Sequence, residues 1–308
     1  MMPMIPLPTI CRTALMAGVM VISCKESVGS GSGQVNPDLI FCGAEEVFIS
    51  SYADPARKLW SWTAEDSPEI PEEKRRQFRT TDECKPYAGG LILITSSSNG
   101  VAIIDRKTKS CRFWATATNA HSGCLLPGNL LVVASSFGGD ELLVFDRAKS
   151  GSDPILRKPL HGAHGVHWEC DSKTLWALGD RELVSYRLGK DSSGKVDLHA
   201  ISRWPLPSSG GHDLSPVAGE KAFFITTDSE VLVFCAASGR FESHPKLGKS
   251  GKVKSMDQAQ VGGPVVFQQA SVEHWWSNEI RFLDGGVARF PEERLYKVRW
   301  DSPAKVPE

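Results

Sequence analysis

The chain has 308 residues, with 35 basic and 36 acidic side chains and a formal net charge of −1. A nucleic-acid-binding domain is normally strongly basic, so this balance excludes a general polyanion binder. The length fits one large all-β domain or two average domains. Nine tryptophans suit both a β-sheet core and a site that stacks on a flat ring.

The first residues are predicted to be a targeting segment. An apolar run at residues 14–23 is too short to span a bilayer comfortably, which indicates a signal peptide over residues 1–24. The run ends in a Val-Ile-Ser-Cys sequence that resembles the bacterial lipobox, in which the cysteine, here Cys24, is lipidated. A plain secretory signal with an incidental Cys24 stays open as the alternative. Residues 25–37, rich in Gly and Ser, are predicted to be a flexible linker.

The expected location is therefore outside the cytoplasm, as a membrane-anchored lipoprotein or as a periplasmic or extracellular protein. Export permits disulfides. The six cysteines after Cys24 contain no Cys-x-x-Cys pair and are spread at about one per repeat, so we expect buried free thiols instead.

A repeat begins near residue 38. Short β-rich runs alternate with Gly, Asn, Asp and Ser, and each unit contains a central strand pair such as residues 90–96 and 100–105. The period of about 40 to 48 residues is typical of propeller blades. Residues 38–303 are predicted to form the propeller and residues 304–308 a tail.

The two ends of the repeat region complement each other. The first unit lacks an inner strand, and residues 295–300 supply a spare one, so we expect them to pair and remove the free edges. The predicted fold class is all-β, a six-bladed β-propeller closed by the C-terminal strand. A stacked β-solenoid, the rival fold, needs a shorter repeat and gives no reason for complementary ends.

A short segment before each central pair is the predicted inner strand, and each carries a basic or metal-binding side chain. In chain order these are Lys85, His121, His164, His212 and Lys254, followed by Lys297 or Arg299 in the closing strand. The last alignment stays open, because Val298–Asp301 also matches Val166–Glu169 and would place Arg299 level with His167. Equivalent positions of all blades face the axis, so these side chains are expected to share one funnel.

Three converging neutral imidazoles favour a divalent metal ion. We predict His121, His164 and His212 as ligands of a Zn, Mn or Ca ion. The alternative is a structural histidine that repeat ancestry copied into several blades. The other histidines, His161, His199, His244 and His274, lie outside this register and are predicted to be surface or loop residues.

The remaining candidates suit an anionic ligand. Lys254 or Lys85 is the predicted catalytic base, and Arg299 and Lys297 are predicted to bind the anion. Trp275 and Trp276 are either core residues or a stacking platform for a sugar ring.

The inner-strand segments at residues 119–122, 162–166, 210–214 and 253–255 together resemble a family of exported bacterial six-bladed propellers that has no settled function. The resemblance covers about residues 38–300 and implies the fold and the exported location. A weaker similarity, of architecture only, is to oligogalacturonate lyases. These propellers hold a divalent metal with histidines on the axis and cleave uronates by β-elimination. No sequence motif is shared with them.

Three functions compete at this point. The first is a metal-dependent carbohydrate-active enzyme, a lyase on an acidic sugar, in which the metal binds the carboxylate and stabilises the enolate. The second is a non-catalytic lipoprotein that binds a glycan or an anion, and the third is a scaffold for protein partners. The expected partners are an acidic carbohydrate or another small anion, with no nucleic acid and with membrane contact only through a lipid anchor. The protein is expected to be a monomer.

Overall fold

The computed structural model describes residues 36–308. The predicted signal peptide, Cys24 and residues 25–35 of the predicted linker lie outside the described residues. Lipid anchoring stays a prediction, which Cys24→Ser tests by moving the protein from the membrane fraction to the soluble fraction. Among the described residues, no helix is long and apolar enough to cross a membrane.

The described chain forms six four-stranded antiparallel sheets, the blades of a propeller. Blade 1 contains, from the axis outward, β24 (Lys297–Trp300), β1 (Leu39–Cys42), β2 (Val47–Ser50) and β3 (Lys58–Trp62). Blade 2 contains β4 (Thr81–Tyr87), β5 (Leu91–Ser96), β6 (Gly100–Asp105) and β7 (Cys111–Thr116). Blade 3 contains β8 (Ala120–Leu126), β9 (Leu130–Ser135), β10 (Glu141–Asp146) and β11 (Leu156–Pro159).

The other three blades follow the same order. Blade 4 contains β12 (Gly165–Glu169), β13 (Thr174–Leu178), β14 (Glu182–Lys190) and β15 (Val196–Pro205). Blade 5 contains β16 (Asp213–Pro216), β17 (Ala222–Thr226), β18 (Val231–Cys235) and β19 (Arg240–Ser243). Blade 6 contains β20 (Val253–Gln258), β21 (Val265–Gln269), β22 (Glu279–Phe282) and β23 (Val287–Arg289). The described helices are α1 (Glu72–Arg75) and two 3-10 segments, Ala64–Asp66 and Arg76–Phe78, between blades 1 and 2.

The hydrophobic core lies between neighbouring blades. One cluster joins apolar side chains of blades 3 and 4, including Val132, Val144, Trp168 and Tyr186. Because blades stack face to face, their middle strands are covered on both sides, and every residue of β9 is buried. This explains why these strands appear in the sequence as continuous apolar runs.

The predicted closure is confirmed. The C-terminal β24 pairs antiparallel with β1 along four residues, with Trp300 opposite Leu39 and Lys297 opposite Cys42. The six cysteines of the described chain are free thiols. The predicted tail continues onto blade 2, where Ala304 donates its N–H to the Pro86 carbonyl at 3.0 Å and accepts the Ala88 N–H at 2.8 Å.

Candidate functional site

Six side chains, one from each blade, lie at the mouth of the axis where the inner strands begin. We call this end the upper mouth and the six residues the upper ring. In blade order the ring contains Tyr296, Asp82, His121, His164, His212 and Lys254.

Two local structures put these residues at one level. His164, His212 and Tyr296 each donate a backbone N–H, at 2.8 Å, to the last residue of the neighbouring strand in their blade. Asp82, His121 and Lys254 are the extra residues of β-bulges. A bulge inserts one unpaired residue and re-aims its side chain, so all six end at the same mouth.

The three predicted histidine ligands are brought together. The ring centroids of His121 and His164 are 4.0 Å apart, and those of His164 and His212 are 5.1 Å apart. His164 Nε2 and His212 Nδ1 are 3.5 Å apart. The cluster is mostly covered, with 13% of the His121 and His212 side chains exposed.

One nitrogen of each imidazole is held by another group. His121 Nδ1 donates to the Asn119 carbonyl at 3.1 Å, and His212 Nε2 lies 2.8 Å from Asp228 Oδ1. His164 Nδ1 pairs with the Ser136 hydroxyl at 2.9 Å. A carbonyl only accepts, so His121 Nε2 is unprotonated in the neutral ring. One imidazole N–H, carried by either His164 Nε2 or His212 Nδ1, completes the contact between these two rings.

Burial and mutual repulsion keep these rings neutral. Desolvation is the largest cause that lowers the pKa of His121, His164 and His212, and for His164 the two neighbouring imidazoles lower it further. Asp82, 3.5 Å from His121 Nε2, has a raised pKa because it is buried. Neutral imidazoles and a nearby carboxylate are donor groups that a transition metal accepts.

Lys254 completes the charged side of the ring. Its Nζ lies 2.7 Å from His212 Nε2, and only 8% of the residue is exposed. Burial lowers its pKa to about 8, against the opposing effect of Asp228. At this pKa the amine is mostly protonated at neutral pH, so its ammonium group can donate to His212 Nε2.

The donor atoms of the ring are close but not gathered around one point. Within residues 36–308, no group of three or more His, Cys, Asp or Glu side chains is placed to hold a metal ion. Binding by all three imidazoles therefore requires their side chains to rotate.

Lys297 and Arg299, the predicted anion-binding residues, lie deeper on the axis. They form a charge plug with Glu83 and Asp213, and all four side chains are 5% exposed or less. Arg299 Nε donates to Glu83 at 3.0 Å and its Nη1 to Asp213 at 2.7 Å. The plug satisfies both cations within the protein.

Lys85 is not level with the histidines, contrary to the alignment made from sequence. It lies three residues after Asp82 and faces the opposite end of the axis, the lower mouth, together with His167 and Arg299. Arg299 is therefore level with His167, which is one of the two alignments that the sequence left open. The Lys85 ammonium bonds the Ser122 hydroxyl and the carbonyls of Gly123 and Val166 at 2.8–3.1 Å, which ties three blades together.

The two adjacent tryptophans differ in placement. Trp275 is 44% exposed and contacts Tyr296 of the upper ring, with ring centroids 5.6 Å apart. Trp276 instead stacks on His274, with ring centroids 4.7 Å apart. The guanidinium carbon of Arg294 lies 5.3 Å from the centroid of the Trp276 ring. Only Trp275 therefore borders the histidine cluster.

The four histidines outside the register are surface or loop residues, as predicted. His161 and His199 are exposed, as predicted. His244 is 5% exposed, and its Nδ1 accepts the backbone N–H of Leu247 at 3.0 Å. His244 therefore is a buried residue of the loop after β19, where it supports a turn.

The sequence profile of a family of unknown function (DUF6528) matches residues 43–304. The chain belongs to this family. The predicted resemblance to a propeller family without a settled function is thus confirmed. Neither the family match nor the structural match supports a bacterial origin or a similarity to lyases. A search of curated proteins finds no match.

Among solved structures, the chain is similar to a chain of the "Crystal Structure of Mitotic Checkpoint Complex". The identity is 12%, the TM-score is 0.55, and the match covers 76% of this chain and 68% of the other. At this identity the similarity supports the propeller fold and carries no information on function.

Sequence reasoning missed Ser136 and Asp228, which orient two of the rings. A signal for Asp228 was present, because Asp140 and Asp180 lie in the turns between the second and third strands of blades 3 and 4, as Asp228 does in blade 5. There the aspartate accepts the backbone N–H of Gly162 or Gly210. In blade 5 the equivalent carboxylate binds the imidazole of His212 instead.

Proposed function

We propose that the upper ring binds a divalent transition-metal ion through His121, His164 and His212. The observation that carries the proposal is the hydrogen bonding of the three rings. Each holds one nitrogen on a group outside the ring, as metal-ligating histidines do, and turns the other toward a second member of the ring. The 3.5 Å between His164 and His212 is close to the roughly 3.4 Å expected for two nitrogens on one tetrahedral zinc ion.

Of the three ions expected from the sequence, zinc suits this donor set best. Calcium takes roughly six to eight oxygen ligands, and manganese also prefers oxygen ligands. Zinc, in contrast, binds imidazole nitrogen well. Asp82 is a candidate fourth ligand, because its Oδ1 lies 3.5 Å from His121 Nε2.

Zinc content and affinity test the proposal directly. The purified full chain should carry about one zinc ion by mass spectrometry of the metal, and His164→Ala should weaken zinc binding about 100-fold or more in a chelator competition. His199→Ala, an exposed histidine on β15, is the matched control and should bind zinc normally. Substoichiometric zinc that stays low after zinc addition, or equal affinity of His164→Ala and wild type, would overturn the proposal.

We further propose that the ligand at this site is an acidic sugar. The support is the pair of exposed aromatic rings beside the cluster. Trp275 is 44% and Phe137 is 50% exposed, and Phe137 lies 6.3 Å from His164 between ring centroids. Aromatic faces suit the apolar face of a sugar, while cationic and imidazole groups suit its carboxylate.

A matched ligand pair separates the two contributions. Galacturonate should bind more tightly than galactose, and Trp275→Ala should weaken galacturonate binding about tenfold, the loss of one stacking contact. Trp276→Ala is the control, because that ring stacks on His274. Equal affinity for the two sugars, or equal losses in the two variants, would contradict the assignment without touching the zinc result.

A catalytic role is the second candidate, and the position of Lys254 favours it. Of the two predicted bases, only Lys254 lies in the upper ring, with its Nζ 2.7 Å from His212. In β-elimination this amine would accept the proton α to the carboxylate. The bond between the β-carbon and the leaving oxygen breaks, a carbon–carbon double bond forms, and the leaving oxygen takes up a proton.

Polygalacturonate supplies the test of catalysis. An active lyase should release a conjugated unsaturated product that absorbs in the ultraviolet, and Lys254→Met should abolish it. Product formation that survives Lys254→Met would exclude this base. Absence of product with intact zinc and galacturonate binding would leave the non-catalytic binding protein as the function.

A further inference from the structure

The lower mouth of the axis contains a cavity of about 360 Å³ that the proposed function does not use. It is separated from the upper ring by the charge plug. Its walls include the apolar side chains of Tyr87, Leu125, Trp168 and Leu214. Ligand sites in proteins have volumes of roughly 300–1,000 Å³ and apolar walls with a few polar groups, so this cavity has the size and composition of a small-molecule site.

The charged groups at the floor of this cavity are already satisfied. Lys85 uses its three N–H groups on Ser122, Gly123 and Val166, and Arg299 is bound to the two carboxylates of the plug. Asp257 accepts the backbone N–H of Trp300 at 2.8 Å and that of Gln258 at 3.1 Å. An anionic ligand would find no unpaired cation at the floor to neutralise it.

The His167 imidazole is different. It lines the cavity, is half-buried, and makes no hydrogen bond within residues 36–308. Burial, followed by the charges of Lys85 and Arg299, lowers its pKa to about 3, so the ring is neutral. A neutral imidazole has one unprotonated nitrogen that accepts a hydrogen bond.

The C-terminal segment completes the rim. Ala304 is held to the end of β4 by two backbone hydrogen bonds, and Lys305 and Pro307 line the cavity beyond it. The segment therefore covers part of the lower mouth, beside the cavity that His167 lines.

We propose that this cavity binds a small uncharged aromatic molecule with one N–H or O–H group, which donates a hydrogen bond to the His167 imidazole. The apolar walls cover the ring of the ligand, and the unpaired imidazole nitrogen fixes its orientation. This site is independent of the metal site, because the two lie at opposite mouths of the axis.

Indole and 1-methylindole are a matched pair of probes, because methylation removes the N–H and keeps the ring. In a ligand-observed NMR titration of the full chain, indole should bind saturably, and 1-methylindole should bind about tenfold more weakly. A tenfold loss of affinity corresponds to one hydrogen bond with a free energy near the upper end of the usual range. His167→Phe should weaken indole binding by the same factor and bind the two probes equally. His199→Phe is the control and should leave both affinities unchanged.

Two results would overturn the site. One is the absence of saturable indole binding to the wild-type protein. The other is equal binding of indole and 1-methylindole to wild type, a comparison that needs no variant to fold. Indole binding that is unchanged in a folded His167→Phe protein would also reject the assigned hydrogen bond.

Discussion

Two clusters of polar side chains share the axis of this propeller, and they differ in how fully the protein satisfies them. In the charge plug, every guanidinium nitrogen of Arg299 bonds a carboxylate of Glu83 or Asp213. In the upper ring, His121 Nε2 and His212 Nδ1 lie 3.5 Å from Asp82 and His164 respectively, farther than Arg299 lies from the carboxylates of the plug. Both clusters come from the same inner strands, a few residues apart.

This difference separates a structural cluster from a candidate ligand site. Buried charges persist when each has its partner, and removal of one partner leaves the other uncompensated. Buried nitrogens whose lone pairs face one another gain from an added cation. The plug should therefore respond to mutation as a loss of stability, and the ring as a loss of binding.

Removal of the closing strand should have the largest effect. A chain that ends at Glu293 lacks β24, so it loses the pairing with β1 and both cations of the plug. We expect cooperative thermal unfolding to disappear in circular dichroism. A chain that ends at Ala304, which keeps β24, is the control and should still unfold cooperatively. An unchanged melting temperature in the shorter chain would disprove closure of the ring by β24.

The Arg299→Met substitution should have the next largest effect. It leaves Glu83 and Asp213 buried with only the lysines to neutralise them, and breaking a buried ion pair costs about 3–5 kcal/mol. The free energy of unfolding from urea titration measures this loss. Arg289→Met, on an exposed pair with Glu279, should change it by about 0–1 kcal/mol. A loss below about 1 kcal/mol for Arg299→Met would mean that the plug is not structural.

The two clusters should also respond to acid at different pH values. Burial lowers the pKa of His164 in the folded protein, so below about 6.5 the unfolded chain binds a proton that the folded chain does not. Stability therefore falls as pH falls through this range, by up to about 1.4 kcal/mol per pH unit for each such group. The carboxylates of Glu83 and Asp213 have lowered pKa values, so their contribution is lost only at lower pH, below about 4.

His164→Asn isolates the histidine part of this response. Between pH 7 and 5, its free energy of unfolding should fall less steeply than that of wild type. The difference in slope should be up to about 1.4 kcal/mol per pH unit, the contribution of one proton. Asp82 and Asp257 have raised pKa values, so their contribution to stability increases as pH falls. Both proteins contain these two residues, so their contribution cancels when the two slopes are compared. His199→Asn should keep the wild-type slope. Parallel curves for His164→Asn and wild type would show that His164 is not held neutral by burial.

Much of the fold was predictable because its signals are local. The apolar runs of β5, β9 and β17, each followed by a tight turn, mark the blades through residues adjacent in the chain. The turn before β6, for example, has Asn99 at a φ of 84°, a conformation that Asn adopts more readily than most residues. The convergence of three histidines followed from the repeat itself, because equivalent positions in adjacent blades face one axis.

The sequence by itself determined the repeat, the six blades, the closing strand and the three histidines. The tertiary structure alone decided which mouth each inner-strand side chain faces, because the bulges at Asp82, His121 and Lys254 each add one residue that a periodic pattern does not reveal. It also decided that Arg299 is a structural partner of Glu83, 216 residues away in the chain. A basic residue looks the same in sequence whether its charge is paired or free, and only the surrounding blades determine which.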